Sequence, residues 1–257
     1  MPDVNEERFT GKAEIYRKYR SSYPDDLIAY LYSIIGFHKN SVIADIGSGT
    51  GIFSRLLLER GSLVHCVEPN DDMRRIAEDD LAGFPNFTSV QATAENTGLP
   101  NGSVDFVTVA QAFHWFDRPA FQSECQRILR KGGKVVLIWN IRNYESAVIK
   151  DDYLIREKYC VDAKGLGESG GPPKDIAGFF SGQIYAEKTF NNDLLIHRET
   201  YIGMNLSRSY SPREDREPDQ YRGFVEELNG LFDAYQENGI IRFPQFTRSY
   251  SGEVIGG

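Results

Sequence analysis

The sequence has few of the residues that cross-link chains or bind metals, with three cysteines and four histidines among 257 residues. Cys66, Cys125 and Cys160 are odd in number and widely spaced, which fits neither a disulfide framework nor a zinc site. The histidines are also scattered, without the spacing of metal ligands. We therefore predict that the thiols are inert and that the protein has no structural or catalytic metal ion.

Long apolar runs and an excess of positive charge are also missing. Residues 1–20 lack the apolar core of a signal peptide, and no later run is long enough to span a bilayer. The formal net charge is -8 and the pI is near 5.1, whereas a nucleic-acid surface usually needs a basic face. We expect a cytoplasmic protein without a nucleic-acid partner or membrane insertion, and the sequence leaves the oligomeric state open.

The most informative segment that is present is Val42–Gly51. In it an apolar run stops at an acidic residue before three alternating glycines: Asp45, Gly47, Gly49 and Gly51. Glycine adopts positive φ angles and, without a side chain, lets backbone and ligand approach closely. A second apolar run, Val64–Val67, ends at Glu68, where a ribose lies in an open α/β sheet. Together the two segments predict a nucleoside site.

Strand and helix patterns alternate through the first half of the chain, which predicts a doubly wound α/β sheet. Extended patterns cover 41–46, 63–67, 87–91, 104–110 and 134–139, and helical patterns cover 25–31, 50–61, 71–81 and 121–129. After residue 140 the alternation fails. Helical patterns then cover 144–159, 194–206 and 219–238, extended patterns cover 184–190 and 243–250, and turn residues dominate 165–173.

The segment from Asp45 to Gly51, taken with Glu68, resembles the class I methyltransferases that use S-adenosylmethionine. The competing G-x-G-x-x-G dinucleotide fingerprint needs a third glycine where this chain has Ile52. An acidic residue before the first glycine is a feature of the methyltransferases. Further segments match in the expected order: residues 93–95 with Leu99-Pro100, 110–116 and 127–133. The resemblance covers nearly the whole chain and is strongest from residue 9 to residue 140.

Part of the resemblance is to a subgroup that includes trans-aconitate methyltransferases and related fungal small-molecule enzymes. The residues that carry it are 9–16, Tyr19-Arg20, Tyr23-Pro24, His114-Trp115-Phe116 and 207–210. Ser21 departs from the subgroup, which often has proline after the arginine.

The resemblance implies a Rossmann-like α/β fold, a doubly wound, seven-stranded, mostly parallel sheet with a reversed last strand and a helical cap. It also implies one methyltransferase domain over residues 1–257. Within it we expect four parts: amino-terminal lid helices (1–35), a cofactor-binding core (36–140), a capping insertion (141–182), and carboxyl-terminal strands and helices that complete the sheet (183–257).

The resemblance further implies S-adenosylmethionine as cofactor and S-adenosylhomocysteine as product. Glu68 is expected to accept hydrogen bonds from both ribose hydroxyls. Asp45 either supports the glycine loop or contacts the cofactor. Ala94 and Glu95 are expected at the adenine edge, and His114 and Trp115 near the acceptor. The expected cofactor-binding set is Asp45, Gly47, Ser48, Gly49, Thr50, Gly51, Glu68, Pro69, Met73, Ala94, Glu95, Gln111, Tyr16 and Arg20.

Two further groups of side chains have an expected role and a plain alternative. Tyr16, Tyr19, Arg20 and Tyr23 form either a lid whose aromatic faces favour the sulfonium cation or an exposed helix face. Arg20 could also hold the cofactor carboxylate. Tyr201, Arg208 and Tyr210 form either a clamp for an anionic substrate or a charged helix face.

Methyl transfer from a sulfonium needs alignment and exclusion of water rather than a metal or a covalent intermediate. A carboxylate acceptor is already ionised at neutral pH, whereas a phenol or alcohol would need a base, for which His114 is the candidate. We predict methylation of a small molecule, most simply at a carboxylate oxygen. Methylation at carbon or nitrogen of a lipid-like or quinone-like acceptor, and a non-catalytic cofactor-binding regulator, are the alternatives.

Overall fold

The computed structural model describes residues 22–160, 172–173, 176–180, 184–208 and 210–254. The strands are β1 (Val42–Ile46), β2 (Leu63–Val67), β3 (Phe87–Val90), β4 (Val104–Ala110), β5 (Leu129–Arg142), β6 (Tyr185–Asn191), β7 (Leu194–His197), β8 (Ile240–Phe243) and β9 (Gln245–Gly252). The helices are α1 (Asp25–Tyr30), α2 (Ile52–Glu59), α3 (Asp71–Leu81), α4 (Arg118–Ile128), α5 (Ala147–Tyr159), α6 (Ile176–Phe179), α7 (Arg198–Leu206) and α8 (Pro218–Tyr235). A π-helical turn, Leu31–Ile35, continues α1, and a 3-10 turn, Phe113–Trp115, follows β4.

Seven of these strands form one sheet in the order β3-β2-β1-β4-β5-β9-β6. The first five are parallel to their neighbours, while β9 runs antiparallel to both β5 and β6. The strand order reverses beside β1, because its two neighbours are β2 and β4. The expected seven-stranded, mostly parallel sheet with a reversed last strand is confirmed, and such a reversal point is where ligands bind in open α/β sheets.

Helices cover both faces of the sheet, so its central strands are apolar on both sides, as parallel strands usually are. On one face α1, α2 and α3 pack against Ile43, Phe106 and Ile138. On the other face α4 and α6 pack against Val107 and Trp139. The side chains in both layers have little or no solvent exposure. The ends of β1, β2 and β4 are thereby fixed relative to one another.

A third apolar cluster lies outside the sheet, in a cap built from α5, α7, α8 and the two-stranded sheet β7–β8. The helical pattern predicted over 194–206 is wrong for its first four residues, because Leu194–His197 pairs antiparallel with Ile240–Phe243. The helix begins at Arg198. The extended pattern over 243–250 is also divided, because Phe243 ends β8 and Pro244 separates it from β9. The cap is therefore not purely helical.

The amino-terminal lid predicted over residues 1–35 is described only from Ser22 onward, so Tyr16, Tyr19 and Arg20 lie outside the described residues. The loop predicted over 165–173 is also mostly outside them. Across the described part of the chain, no helix is both long and apolar enough to cross a membrane. The division of the chain into four parts stays a prediction.

Candidate active site

The three glycines after β1 form a tight turn, with φ angles of +66° at Gly47, +56° at Gly49 and +78° at Gly51. A Cβ at Gly47 would lie 2.5 Å from the Cβ of Ala112, and one at Gly51 would lie 2.7 Å from Cδ1 of Leu81. A Cβ at Gly49 would meet no atom within 4 Å. The outer glycines therefore allow close packing of the turn, while the middle one borders open space.

Glu68, just after β2, holds this turn from the neighbouring strand. Its Oε2 accepts a hydrogen bond from the backbone N–H of Gly49, and its Oε1 accepts one from the N–H of Asn70, both at 2.9 Å. Asn70 caps α3 by accepting from the N–H of Met73 at 3.0 Å. Each carboxylate oxygen can accept a second hydrogen bond, so Glu68 suits a ligand with two adjacent hydroxyl donors.

Asp45 lies beneath the turn, with 1% of its surface exposed. It accepts hydrogen bonds from Ser54 Oγ at 2.5 Å and from Thr108 Oγ1 at 2.8 Å, which joins β1 to α2 and β4. Burial raises the pKa of Asp45 to about 6, and the hydrogen bonds from Ser54 and Thr108 oppose that rise. Of the two expected roles of Asp45, this geometry favours support of the glycine turn.

Gln111, directly after β4, has a φ of +65°, a conformation that is uncommon for a residue other than glycine. Its N–H donates to the carbonyl of Ile138 at 2.9 Å, and its Nε2 donates to the carbonyl of Asn140 at 3.2 Å. Such backbone strain is typical of functional sites. The two bonds fix the Gln111 side chain at the point where β4 and β5 end.

A small cavity opens between the glycine turn, Gln111 and the residues at the start of α2. Its volume is about 50 Å³, far below the roughly 300–1,000 Å³ of small-molecule sites, so it can hold only part of a nucleoside. One wall is the ring of Tyr23, which contacts Phe53 edge-on at 5.1 Å between centroids. The lining residues are Tyr23, Gly47, Ser48, Gly49, Thr50, Ile52, Phe53, Ala110, Gln111 and Asn140.

Two polar atoms at this cavity are buried without a hydrogen-bond partner within the described residues, the Oγ of Ser48 and the Oγ1 of Thr50. A buried hydroxyl without a partner costs free energy, and such groups in native structures often mark a ligand or water position. Together with the open space over Gly49 and the acceptors of Glu68, these hydroxyls fit a polar nucleoside ligand.

The other expected site residues lie around this centre. Ala94 is in the core beneath the sheet edge, and Glu95 accepts from the N–H of Asp117 at 2.9 Å, at the start of α4. His114 and Trp115 are half-buried, with ring centroids 4.6 Å apart, and neither lines the cavity. The structure therefore brings together the glycine turn, Glu68 and Gln111. His114 and Trp115 are in the 3-10 turn between Ala112 and Phe116, whose side chains lie beside Gly47.

Two residues that line the cavity, Tyr23 and Asn140, are absent from the cofactor-binding set expected from the sequence. The sequence predicts Tyr23 only as a lid residue and assigns no role to Asn140. The available signal for Asn140 is its position, a polar residue directly after the apolar run of β5. Since ligands bind at the carboxyl ends of such strands, a polar side chain there is a candidate for the site.

The cysteines and the acidic residues offer no second centre among the residues that the structure describes. All three cysteines are buried, and no disulfide joins them among the described residues. Burial raises the pKa of the Cys66 thiol, and a buried thiol of high pKa is a poor nucleophile. Within the described ranges, no group of three or more His, Cys, Asp or Glu residues is placed to hold a metal ion.

Comparison with known proteins assigns the fold and the glycine turn to a family. A model described as a methyltransferase domain matches residues 44–137. An uncharacterized methyltransferase of Schizosaccharomyces pombe is 30% identical, over 96% of this chain and 97% of its own length. The chain belongs to the class I methyltransferase family. The match covers nearly the whole length of this methyltransferase.

A second relative and a solved structure are similar to this methyltransferase over different lengths. An uncharacterized methyltransferase of Mycobacterium tuberculosis is 37% identical over 52% of this chain and 53% of its own, so the chain spans about half of that relative. A structure from Anaeromyxobacter dehalogenans, described as a type II methyltransferase, is 23% identical with a TM-score of 0.63, over 93% of this chain and 100% of its own. At that identity it supports the fold alone. The trans-aconitate subgroup stays a prediction.

Proposed function

We propose that this methyltransferase binds S-adenosylmethionine at the glycine turn and transfers its methyl group to a small molecule, most simply to a carboxylate oxygen. The observation that carries the proposal is the position of Glu68. Its carboxylate is held by the N–H groups of Gly49 and Asn70 at the point where the strand order reverses. Its second acceptor positions suit the two ribose hydroxyls of a nucleoside.

Other residues have proposed roles in cofactor binding. Gly49 lets the ribose approach the backbone, and Thr50 offers its buried hydroxyl. Ser48, Pro69 and Met73 flank the nucleoside, while Ala94 and Glu95 border the adenine. Asp45, Gly47 and Gly51 support the turn rather than contact the ligand. Gln111 faces the methionine part of the cofactor, and Tyr16 and Arg20 are proposed to close over it.

When bound, the cofactor supplies a methyl group on a sulfonium sulfur. The protein then has to hold the acceptor oxygen in line and exclude water, and such positioning lowers a barrier by roughly 7–11 kcal/mol in the best cases. Tyr23, Gln111 and Asn140 line the cavity, and the proposal puts the acceptor against them. A carboxylate acceptor arrives ionised and needs no base. A phenol would lose its proton to a base, and His114 is the candidate.

Cofactor binding is tested by calorimetry with S-adenosylhomocysteine. We expect Glu68→Ala to weaken binding about 10-fold to 100-fold, because a hydrogen bond to a charged group contributes about 1.5–3 kcal/mol. Glu68→Gln keeps one acceptor oxygen and should lose less. The matched control is Glu78→Ala, which removes a carboxylate from α3 that bonds Ser89 at 2.6 Å. An unchanged affinity in Glu68→Ala contradicts the proposal.

The acceptor is tested with radiolabelled methyl donor and matched sets of small carboxylic acids, phenols, amines and isoprenoid lipids. We expect the acids to be methylated, and His114→Ala to leave their rate unchanged. If only the phenols are methylated and His114→Ala abolishes that activity, the acceptor is a phenol and His114 is the base. Turnover of the lipids or amines alone would favour carbon or nitrogen methylation. Tight cofactor binding without turnover in any set would favour the non-catalytic regulator.

A further inference from the structure

Asn140 on β5 connects the cavity to the last strand of the sheet. It lines the cavity, and its backbone carbonyl accepts a hydrogen bond from Nε2 of Gln111 at 3.2 Å. In the sheet Asn140 lies opposite Thr247 of β9, a residue with no solvent exposure. The backbone of Asn140 therefore holds a cavity side chain, while its own side chain has a different set of partners.

Those partners form a polar network that joins three parts of the sheet. We name Asn140, Asn192 and Thr247 the Asn140 network. Oγ1 of Thr247 lies 2.6 Å from Oδ1 of Asn140 and 3.0 Å from Nδ2 of Asn192. Nδ2 of Asn192 also lies 3.2 Å from Oδ1 of Asn140. Because Asn192 directly follows β6, the network joins β5, β9 and the end of β6.

Both amides of the network donate to one backbone carbonyl, that of Ser22. The Nδ2 atoms of Asn140 and Asn192 each lie 3.3 Å from this oxygen. A carbonyl oxygen only accepts hydrogen bonds and has two lone pairs, so each amide presents its NH₂ group there. The other bonds then have one direction: the Thr247 hydroxyl donates to Oδ1 of Asn140 and accepts from Asn192. The network is thus built to hold the Ser22 carbonyl.

The Ser22 carbonyl belongs to the peptide bond that precedes Tyr23. Since a peptide unit is planar, a fixed carbonyl also fixes the position at which the backbone of Tyr23 begins. On the other side of Tyr23, Pro24 restricts its backbone angles, and α1 begins at the next residue. The Tyr23 ring lines the cavity and contacts Phe53 edge-on, with centroids 5.1 Å apart. The contacts of Ser22 therefore influence where that ring lies.

We propose that the Asn140 network positions Tyr23 for methyl transfer. Asn192 and Thr247 act through the Ser22 carbonyl, and they place the Tyr23 ring against the part of the cavity where the acceptor is proposed to lie. The inference rests on the proposed function, because only a reaction at the cavity gives this placement a role. A reactant displaced by about 1 Å can react roughly 100-fold more slowly. Strand β9 and the end of β6 thus shape a cavity whose lining residues come from earlier in the chain.

The first test follows the Tyr23 ring without any ligand. Fluorotyrosine is incorporated at position 23 alone, and its fluorine NMR signal is compared with that of the same protein unfolded in urea. The wild-type signal should differ from the unfolded reference, because the ring packs against Phe53. Asn192→Asp should move the signal toward that reference, since a carboxylate cannot donate to the Ser22 carbonyl. Asn191→Asp is the matched control, which adds the same charge at the exposed last residue of β6.

A pair of variants at Thr247 separates hydrogen bonding from packing. Thr247→Val keeps the shape of the buried side chain and removes the hydroxyl, whereas Thr247→Ser keeps the hydroxyl and removes a methyl group. We expect Thr247→Val to move the Tyr23 signal toward the unfolded reference and Thr247→Ser to leave it near the wild-type position. The opposite order would show that Thr247 acts by packing alone and would overturn the inference. Thermal melting checks that every variant is folded.

A double-mutant cycle connects the network to ligand binding through Tyr23. Calorimetry measures S-adenosylhomocysteine affinity in the wild type, Asn192→Asp, Tyr23→Ala and the double variant. We expect Asn192→Asp to weaken binding about 2-fold to 10-fold, as loss of one hydrogen bond predicts. In the Tyr23→Ala background the same substitution should have no further effect, because residues that act through one another are not additive. Additive losses overturn the inference that the network acts through Tyr23.

The outcomes distinguish this inference from the proposed function. An unmoved Tyr23 signal in Asn192→Asp, or an equal movement in Asn191→Asp, overturns the inference and leaves the cofactor proposal intact if the wild type binds S-adenosylhomocysteine. A wild type that does not bind S-adenosylhomocysteine contradicts the proposed function. In that case a moved Tyr23 signal still supports the positioning of the ring, while its role in methyl transfer is overturned.

Discussion

Asp45 and Glu68 show how two carboxylates at one turn acquire different tasks. Asp45 is buried and accepts only hydroxyl donors from Ser54 and Thr108. Glu68 accepts backbone N–H groups of the turn and of the following segment. Asp45 thereby joins three elements of the core, whereas Glu68 joins the glycine turn to the segment before α3 and is the proposed ligand contact. Their roles follow from where each strand ends rather than from residue type.

The raised pKa of Asp45 predicts how stability depends on pH. In the native state the carboxyl of Asp45 stays protonated up to about pH 6, whereas in the unfolded chain it loses its proton near pH 4. The native state therefore binds more protons between these values, and Asp45 reduces stability as the pH rises through them. Relative to Asp45→Asn, the wild type should lose roughly 1 kcal/mol of unfolding free energy between pH 5 and pH 7. Urea unfolding measures this difference, and a constant difference contradicts it.

The glycine turn predicts that neighbouring alanine substitutions have different effects. Gly49→Ala places a Cβ in open space at positive φ, so we expect a loss of about 1–2 kcal/mol in unfolding free energy. In Gly47→Ala the new Cβ also collides with the Cβ of Ala112, so the loss of unfolding free energy should be about 1–3 kcal/mol larger than in Gly49→Ala.

Gly49→Ala should nevertheless be the variant with the larger loss of S-adenosylhomocysteine affinity among folded protein, about tenfold, because its methyl group enters the ligand position. Thermal unfolding and calorimetry measure the two effects separately. Equal stability losses would mean that the turn is less tightly packed than the distances indicate.

Much of the site was predictable residue by residue, because Gly47, Gly49, Gly51 and Glu68 lie next to clear apolar runs. The left-handed backbone of Gln111 was not, since nothing in its sequence context requires it. That conformation results from bonds to β5, formed by residues almost 30 positions later. The arginines near Asp152 are only partly predictable, because Arg208 belongs to a group that the sequence singles out, whereas Arg142 and Arg156 have no motif around them.

Asp152 on helix α5 bonds Arg142 of β5 and also Tyr201 and Asn205 of α7, which joins the cap to the sheet. Asp152→Asn should lower the unfolding free energy by about 3–5 kcal/mol, because it leaves buried arginines without their counter-charge. Burial alone raises the pKa of Asp152, but Arg142, Arg156 and Arg208 lower it more, to about 2. The ionised carboxylate of Asp152 therefore stabilises the native state fully above about pH 4, and this stabilisation is lost as the pH falls toward 2.

A matched control for this prediction is the adjacent Asp151→Asn. Asp151 is exposed and accepts from the Tyr235 hydroxyl at 2.6 Å, so its substitution should change stability by less than about 1 kcal/mol. Urea unfolding at neutral pH compares the two variants. Similar losses in both would show that the buried ion pairs add nothing beyond a surface contact.

The elements that sequence patterns located well are those whose partners lie nearby in the chain. Strands β1, β2 and β4 are apolar runs followed closely by a helix. The small sheet β7–β8 was missed because Leu194–His197 pairs with a strand more than 40 residues away. A four-residue apolar segment fits a helix or a strand equally well until that partner is known.

At the scale of the whole molecule, the described residues pack in two regions, the sheet with its helices and the cap with its own apolar cluster. Amide hydrogen exchange should be slowest in β1 and β4, at the centre of the sheet, and faster in β7 and β8. S-adenosylhomocysteine should slow exchange at residues 47–51 more than in the cap. Uniform exchange across both regions would show that they unfold as one cooperative unit.

The position of β9 has a consequence for synthesis on the ribosome. This strand is the last of the sheet along the chain, yet it lies between β5 and β6 and is the sheet partner of both. Until Gln245–Gly252 has emerged, β5 has an unpaired edge, and such edges pair readily with other chains. A nascent chain stalled before residue 245 is therefore a form that a chaperone has to shield.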